Sequence, residues 1–365
     1  MSVGNTIASQ QRQLVNVLPI DLVEHVANFL FETTPAVDSS PDDGIVTICS
    51  TKPSWPDVAG FMGASVDLHN LGMERWSRVL TCRSQGDLEY ALRFSRWIRE
   101  LRYIGGPLSG GQYGNILKQL NCLHTLSIDS HDDVWHNGSR FAYRDIFTSL
   151  PSSIRRLEIK HAHGPDARVI ATVKRSCPEL QELRLGRCNM FNRVPACDFW
   201  RAFPFEHDSY ISNDGTDEYA HSLAQEIAPL QHLKVLQLGI YMVPASAVLA
   251  HRIYHANGLP GPMHINWQVD VALAQHAPNA LGGDAPQDLE LASTDQLIAM
   301  LHRPGSEPNF SPESCGFCRA EFLQLSVDAE LRATQTLKAL VPSLTQVRWM
   351  GWFTHRHLGT NSYTI

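Results

Sequence analysis

Residues 177–188 read Cys177-Pro178-Glu179-Leu180-Gln181-Glu182-Leu183-Arg184-Leu185-Gly186-Arg187-Cys188, and the fold follows from how this stretch repeats. Its apolar residues stand at Leu180, Leu183 and Leu185, with Glu182 and Arg184 interleaved. Successive side chains of a strand point to opposite faces, so Leu183 and Leu185 share a dry face while Glu182 and Arg184 share a wet one. The same apolar-x-x-apolar-x-apolar spacing recurs at Ile98-Leu101-Tyr103, Leu123-Leu126-Ile128 and Ile154-Leu157-Ile159. It returns at Leu233-Leu236-Leu238, Phe322-Leu325-Val327 and Leu344-Val347-Trp349. Positions 101, 126, 157 and 183 are 25, 31 and 26 residues apart, and 325 and 347 are 22 apart. Residues between the last two apolar positions are Arg102, Ser127, Glu158, Arg184, Gln237, Ser326 and Arg348, all polar. Near-regular spacing and consistent alternation predict short parallel strands, each followed by a return segment, stacked over one interior.

The return segments carry helical patterns. Arg168–Arg175 holds Val169, Ile170 and Val173 on one face and stops before Cys177-Pro178. Tyr113–Leu120 and Asp328–Leu340 carry similar apolar stripes. The period lapses between 236 and 325, and two stretches read as insertions: an aromatic-rich one at 189–231 and a Pro- and Gly-rich one at 256–312. The predicted class is α/β, with parallel strands and outer helices.

Composition sets outer limits. The 365 residues carry 30 basic and 37 acidic side chains, a net charge of −7, which argues against a nucleic-acid surface spread over the whole chain. The stretch from Val235 to His251 lacks Lys, Arg, Asp and Glu but is shorter than a membrane span and contains Gln237 and Pro244. The polar start MSVGNTIASQQRQ has no signal-peptide core. Eight dispersed cysteines read as reduced thiols, which points to the cytoplasm or nucleus.

A different unit precedes the repeats. Leu18-Pro19-Ile20-Asp21-Leu22-Val23-Glu24-His25-Val26-Ala27-Asn28-Phe29-Leu30 predicts an amphipathic helix with Pro19 near its start. A polar loop over 31–56 and a second amphipathic stretch, Val58 to Leu80, follow. Leu18, Pro19, Leu22, Val23, Val26 and Leu30 stand at the spacing of an F-box, and Val66 and Leu71 fall in the outline of its second half. The segment resembles that family, and Cys177–Cys188 resembles the cysteine-containing leucine-rich repeat that commonly follows it. The whole chain looks like a divergent fungal F-box-like protein with degenerate leucine-rich repeats.

The resemblance implies a tail over 1–13, an F-box-like helical module over 14–82 and an irregular leucine-rich-repeat solenoid over 83–365. It implies a substrate-recognition subunit of a cullin-type ubiquitin ligase, not an enzyme itself. The adaptor protein would dock on Leu18, Pro19, Leu22, Val23, Val26, Leu30, Val66 and Leu71. A protein substrate would dock on the polar row Arg102, Ser127, Glu158, Arg184, Gln237 and Arg348. The alternative is a stand-alone protein-binding scaffold whose N-terminal helices cap the first repeat.

Residues with chemical potential carry less. Cys315-Gly316-Phe317-Cys318 has the spacing of half a zinc site, with His355 and His357 as candidate completions, but their separation matches no standard finger. Gly105–Gly114 lacks the Lys-Ser or Lys-Thr of a phosphate loop. His161-Ala162-His163-Gly164-Pro165-Asp166 follows a repeat strand and reads as turn chemistry. The sequence therefore assigns no catalytic residue, no metal ligand and no cofactor, and foresees neither nucleic-acid nor membrane partners.

Overall fold

The computed structural model describes residues 19–35, 47–108, 115–137, 140–164, 166–188, 211, 213–244, 313–354 and 359–365. It also describes Phe199, Ala247, Ala250, His251, Tyr254, His255, Gln268, Ala272, residues 291–293 and Gln296. The proposed tail over 1–13, Leu18, most of the 256–312 insertion, and His355 and His357 lie outside the described residues.

Three helices come first: α1 (Ile20–Leu30), α2 (Trp55–Gly63) and α3 (Val66–Trp76). The starts of α2 and α3 are set by side chains that satisfy otherwise unpaired backbone groups, whereas α1 starts after Pro19 with no side-chain cap. Asp57 accepts from the Ser54 amide at 3.2 Å before α2, and Ser65 Oγ accepts from the Leu68 amide at 3.2 Å before α3. Ala27, Phe31, Val58 and Met62 form the small core of this unit. Gly72 on α3 lets the helices close, since a Cβ there would sit 2.6 Å from Met62 Cγ.

The chain then alternates strands and helices. The strands are β1 (Val79–Cys82), β2 (Glu100–Tyr103), β3 (Thr125–Asp129), β4 (Val134–Asn137), β5 (Arg140–Tyr143), β6 (Arg156–Ala162), β7 (Glu182–Arg187), β8 (Val235–Tyr241), β9 (Gln346–Met350) and β10 (Thr360–Thr364). The helices among them are α4 (Gln85–Ala91), α5 (Asp166–Ser176), α6 (Asn213–Ile227) and α7 (Gln324–Leu340). One eight-stranded sheet runs in the order β1-β2-β3-β6-β7-β8-β9-β10, and β4 and β5 pair as a separate hairpin. Neighbours in the large sheet are parallel except β9 and β10, which are antiparallel. The predicted α/β class is correct, and the sheet adds strands in chain order. Residues 79–82, grouped with the helical unit by the sequence reading, are the first strand of this sheet.

Register shows why the repeat spacing matters. Leu101, Leu126, Leu157, Leu183, Leu236 and Val347 stand side by side across successive strands, and so do Tyr103, Ile128, Ile159, Leu185, Leu238 and Trp349. Those side chains, with Ile98, Leu123, Ile154, Leu180, Leu233 and Leu344 ahead of them, are all buried in one continuous core. Six of the seven triplets therefore occupy equivalent places. Burying each such side chain is worth about 1.5–3 kcal/mol, so the stacked rows dominate the stability of the sheet.

The seventh triplet is a correction. Phe322, Leu325 and Val327 lie in a helical run: a short turn at Gly316–Cys318, a π-helical turn at Arg319–Leu323, then α7. Buried positions there are Cys318, Phe322, Ser326, Ala329, Glu330, Ala333, Thr334 and Leu337, the spacing of one helical face. Leu325 and Val327 face outward. Three apolar residues at strand spacing also fit a helix when the residues between them supply the buried face, and Ser326 does so here.

Glu330, on the inner face of α7, ties β10 to the body. It accepts hydrogen bonds from Tyr363 Oη at 2.7 Å, from Asn361 Nδ2 at 3.0 Å and from Ser326 Oγ at 3.4 Å. Burial outweighs these bonds and holds its carboxyl above the usual range. A carboxyl whose pKa is higher folded than unfolded binds its proton more tightly in the native state. Its contribution is therefore fully present below the unfolded pKa and is lost as pH rises through the folded one. Glu330→Gln should melt higher than the wild type near pH ~8 and show no such gain near pH ~4. Thermal melts at the two pH values check this; an equal gain at both would contradict it.

Candidate functional site

Three places gather polar or exposed groups that could act on a partner. The first is the wet face of the sheet. Ser127 and Glu158 from the proposed substrate row are buried, not open. The segment Thr47–Ser50 lies across them: Glu158 Oε2 accepts from Ser127 Oγ at 2.6 Å, Thr47 Oγ1 at 3.0 Å and the Ile48 amide at 3.4 Å. Two strands away, on β2, Glu100 accepts from the Ser50 amide at 2.6 Å and from Ser50 Oγ at 3.1 Å. Ile48 and Cys49 are themselves buried, and burial pushes the Cys49 thiol up to about 12, with Glu100 adding to the shift. Residues 47–50, between α1 and α2, thus form a strap over the sheet, within the stretch the sequence read as a polar loop.

Ion pairs fill the rest of that half. Arg156 reaches Glu100 at 3.3 Å, and Arg184 reaches Glu182 at 2.7 Å and Glu158 at 3.9 Å. The row is real as a register: Arg102, Ser127, Glu158, Arg184, Gln237 and Arg348 stand on one line across the strands. Only Arg102, Arg184, Gln237 and Arg348 keep partial exposure. Sequence alternation found the face but could not show that the chain's own strap lies on it.

The second place is α1. Its apolar residues form two adjacent stripes at helical spacing. Ala27 and Leu30 pack in the core shared with α2 and α3 and Val23 is buried, so Val23 and Leu30 act as packing residues rather than free contact residues. Leu71 likewise packs against the small core. Leu22, Val26 and Phe29 turn outward and are 50%, 48% and 78% exposed, and Ile20 is 68% exposed. Pro19 and Val66 are exposed too. Trp55, half exposed, packs edge-on against Trp76 with ring centroids 5.2 Å apart.

The third comprises two histidine–cysteine clusters. At the C-terminal ends of β3, β6 and β7, His131, His163 and Cys188 bring their donor atoms within 4.8 Å of one another. His163 Nδ1 pairs with the buried Asp133 carboxylate at 3.1 Å, and Asp133 also accepts from the His163 and Gly164 amides. His161, which the sequence grouped with His163, adopts φ 56° where the β6–β7 register slips, and its Nδ1 lies 3.0 Å from Asp129. An adjoining cavity of about 30 Å³, lined by Asp133, Tyr143 and Asp166 among others, has room for a water or two rather than a substrate.

The other cluster is His251, His255, Cys315 and Cys318, with all four donor atoms within 4.8 Å and all four residues buried. His251 Nδ1 lies 3.2 Å and His255 Nδ1 3.0 Å from Cys318 Sγ, across 67 and 63 positions of sequence. Burial raises the Cys318 thiol, with Cys315 adding to the shift, and lowers the His255 imidazole.

Comparison with family models, with curated proteins and with solved structures finds no match for this chain. Function must therefore be argued from these three places alone. Among the described residues no helix is long and apolar enough to cross a membrane. His355 and His357, which the sequence offered beside Cys315 and Cys318, lie outside the described residues; among the described residues it is His251 and His255 that stand beside the two cysteines. His251-x-x-x-His255 is a visible spacing, but it stands in the stretch where the repeat period is lost, far from the cysteines.

Proposed function

We propose that this chain is a substrate-recognition subunit of a cullin-type ubiquitin ligase: an F-box-like helical module on a leucine-rich-repeat solenoid. The outward stripe of α1 carries the reading. Leu22, Val26 and Phe29 cover a contiguous apolar strip that the rest of the described chain leaves exposed, and removing such a strip from water is the ordinary driving force for docking a partner helix. Pro19, Val66 and Ile20 would extend the strip. Val23, Leu30 and Leu71 hold the helices at the angle that presents it. The sheet supports the second half of the reading, with six equivalent strand positions stacked in order under one polar face. Substrate contact would fall on Arg184, Gln237 and Arg348, beyond the strap, with Arg102 at its margin. Transfer chemistry would belong to a separate conjugating enzyme, and this chain would supply proximity.

The test is capture of the purified ligase adaptor by the full-length chain. Val26→Asp with Phe29→Asp should abolish capture while leaving the melting free energy within about 0.5 kcal/mol, because both sites face solvent. Capture that is absent in the wild type, or unchanged in the double variant, would overturn the ligase reading. A stand-alone scaffold is the competing reading, favoured by β1 and the strap, which join the helical unit to the sheet as a cap would. It predicts no adaptor capture.

A further inference from the structure

The buried quartet His251, His255, Cys315 and Cys318 has the composition of a structural metal site, and it stands apart from the partner-docking reading. Each half has a spacing that metal sites use: His-x-x-x-His in one segment and Cys-x-x-Cys in the other. Ala247, Ala250 and His251 are helical, and the Tyr254 amide bonds the Ala250 carbonyl at 3.0 Å, a turn that returns His255 beside His251, with both rings on Cys318. Cys315 caps the helical run that begins at Gly316, and the Cys318 amide points to Cys315 Sγ at 3.5 Å, which folds both sulfurs to one side. The π-helical turn Arg319–Leu323 follows directly. Such expanded turns re-phase a helix, and here one precedes the face that α7 lays on the core.

The separations suit a shared ion. Zinc binds thiolate sulfur at about 2.3 Å and imidazole nitrogen at about 2.0–2.1 Å, so tetrahedral ligands stand roughly 3.5 Å apart. The observed contacts of 3.0 and 3.2 Å to Cys318 need only a slight outward movement to admit an ion. Two imidazoles against two thiols, all buried, gain little as a neutral hydrogen-bonded group. The same four donors around a divalent cation form a neutral, fully coordinated centre once both thiols ionise. Phe317 stacks on the His255 ring at 5.3 Å and shields one side.

We propose that His251, His255, Cys315 and Cys318 bind one zinc ion in a closed, tetrahedral, structural site. Four protein ligands leave no position for water or substrate, so the site is not catalytic. Its role is mechanical. It pins the segment after β8 to the start of α7, closing the long excursion between them, and clips across long loops constrain the unfolded chain most. The competing cluster His131, His163 and Cys188 has three donors and a partly exposed member, and it serves as the internal control.

Full-length protein, purified under reducing conditions and passed through gel filtration, should carry about one zinc per chain by elemental analysis. After chelator treatment, added cobalt(II) should give the intense visible bands of a tetrahedral centre with thiolate-to-metal charge transfer, and zinc should displace them. Cys318→Ser and His255→Ala should lower zinc affinity by more than the ~10–100-fold expected for losing an outer-shell partner, whereas Cys188→Ser should leave it unchanged. Mapping alkylated cysteines on the wild type needs no variant: zinc should protect Cys315 and Cys318 from alkylation, and chelation should expose them. Absence of bound zinc after metal addition, a weak octahedral cobalt spectrum, or metal lost in Cys188→Ser but kept in Cys318→Ser would each overturn the assignment.

Discussion

Gly239→Ala is expected to destabilise the fold by on the order of 3–5 kcal/mol, the range reserved for substitutions that break a specific structural requirement. Gly239 lies in β8 just beyond Leu238, whose partner on β7 is Leu185. A Cβ at this position would overlap the backbone nitrogen of Arg187 and come within 2.7 Å of its Cγ. The obstacle is main chain, which cannot swing aside as a flexible side chain can. Arg187 is moreover anchored: its guanidinium bonds the Gly164 carbonyl and pairs with Asp166 at 3.2 Å. Relief would require separating β7 from β8 at their C-terminal ends or dislodging Arg187. Urea denaturation of the variant measures the loss. A stability within about 1 kcal/mol of the wild type would show that the strand ends part easily.

Glu158→Ala is expected to cost about 3 kcal/mol and to free the strap. The carboxylate is buried and is the shared acceptor for Ser127, Thr47 and the Ile48 amide, with Arg184 close by. Truncation removes the acceptor shared by those three donors and takes one carboxylate away from Arg184, which still pairs with Glu182. Limited proteolysis should then cut within 47–50 faster than in the wild type, while Glu158→Gln, which keeps an acceptor oxygen, should fall between. Unchanged cleavage in Glu158→Ala would mean that Glu100 alone holds the strap.

The strand positions were legible in the sequence because the sheet is built by translation: one register and one dry face recur with each unit. Leu183 and Leu185 therefore predicted the environment of Leu157 and Leu236 as well as their own. The Phe322 triplet misled for a physical reason. Its spacing fits a strand, but burial over the same stretch follows a helical face, with Phe322, Ser326, Ala329, Ala333 and Leu337 inward and Leu325 and Val327 outward. The strap was illegible because Thr47 and Ser50 are ordinary loop residues until Glu158 and Glu100, far away in sequence, accept from them. Polar alternation reports which face a residue occupies, not what lies on that face. The quartet His251, His255, Cys315 and Cys318 was hidden for a similar reason: each half is a common short spacing, and only the fold joins them.

Two adjacent stripes on α1 likewise look like one broad apolar face in sequence. Packing divides them, with Val23 inward and Val26 outward. The division makes the interaction hypothesis specific, since substitutions in one stripe should alter stability and those in the other should alter association.

The reversal at β10 bears on how the molecule behaves in crowded solution. Every earlier strand of the large sheet meets its neighbour in parallel, and an uncovered β9 would offer the same parallel rail to a neighbouring strand. Thr360–Thr364 runs the opposite way along β9, anchored through Asn361 and Tyr363 to Glu330, and presents alternating exposed Thr and Ser side chains. That strand acts as a buffer stop. It ends the run of parallel neighbours with an edge whose outward side chains are hydrophilic.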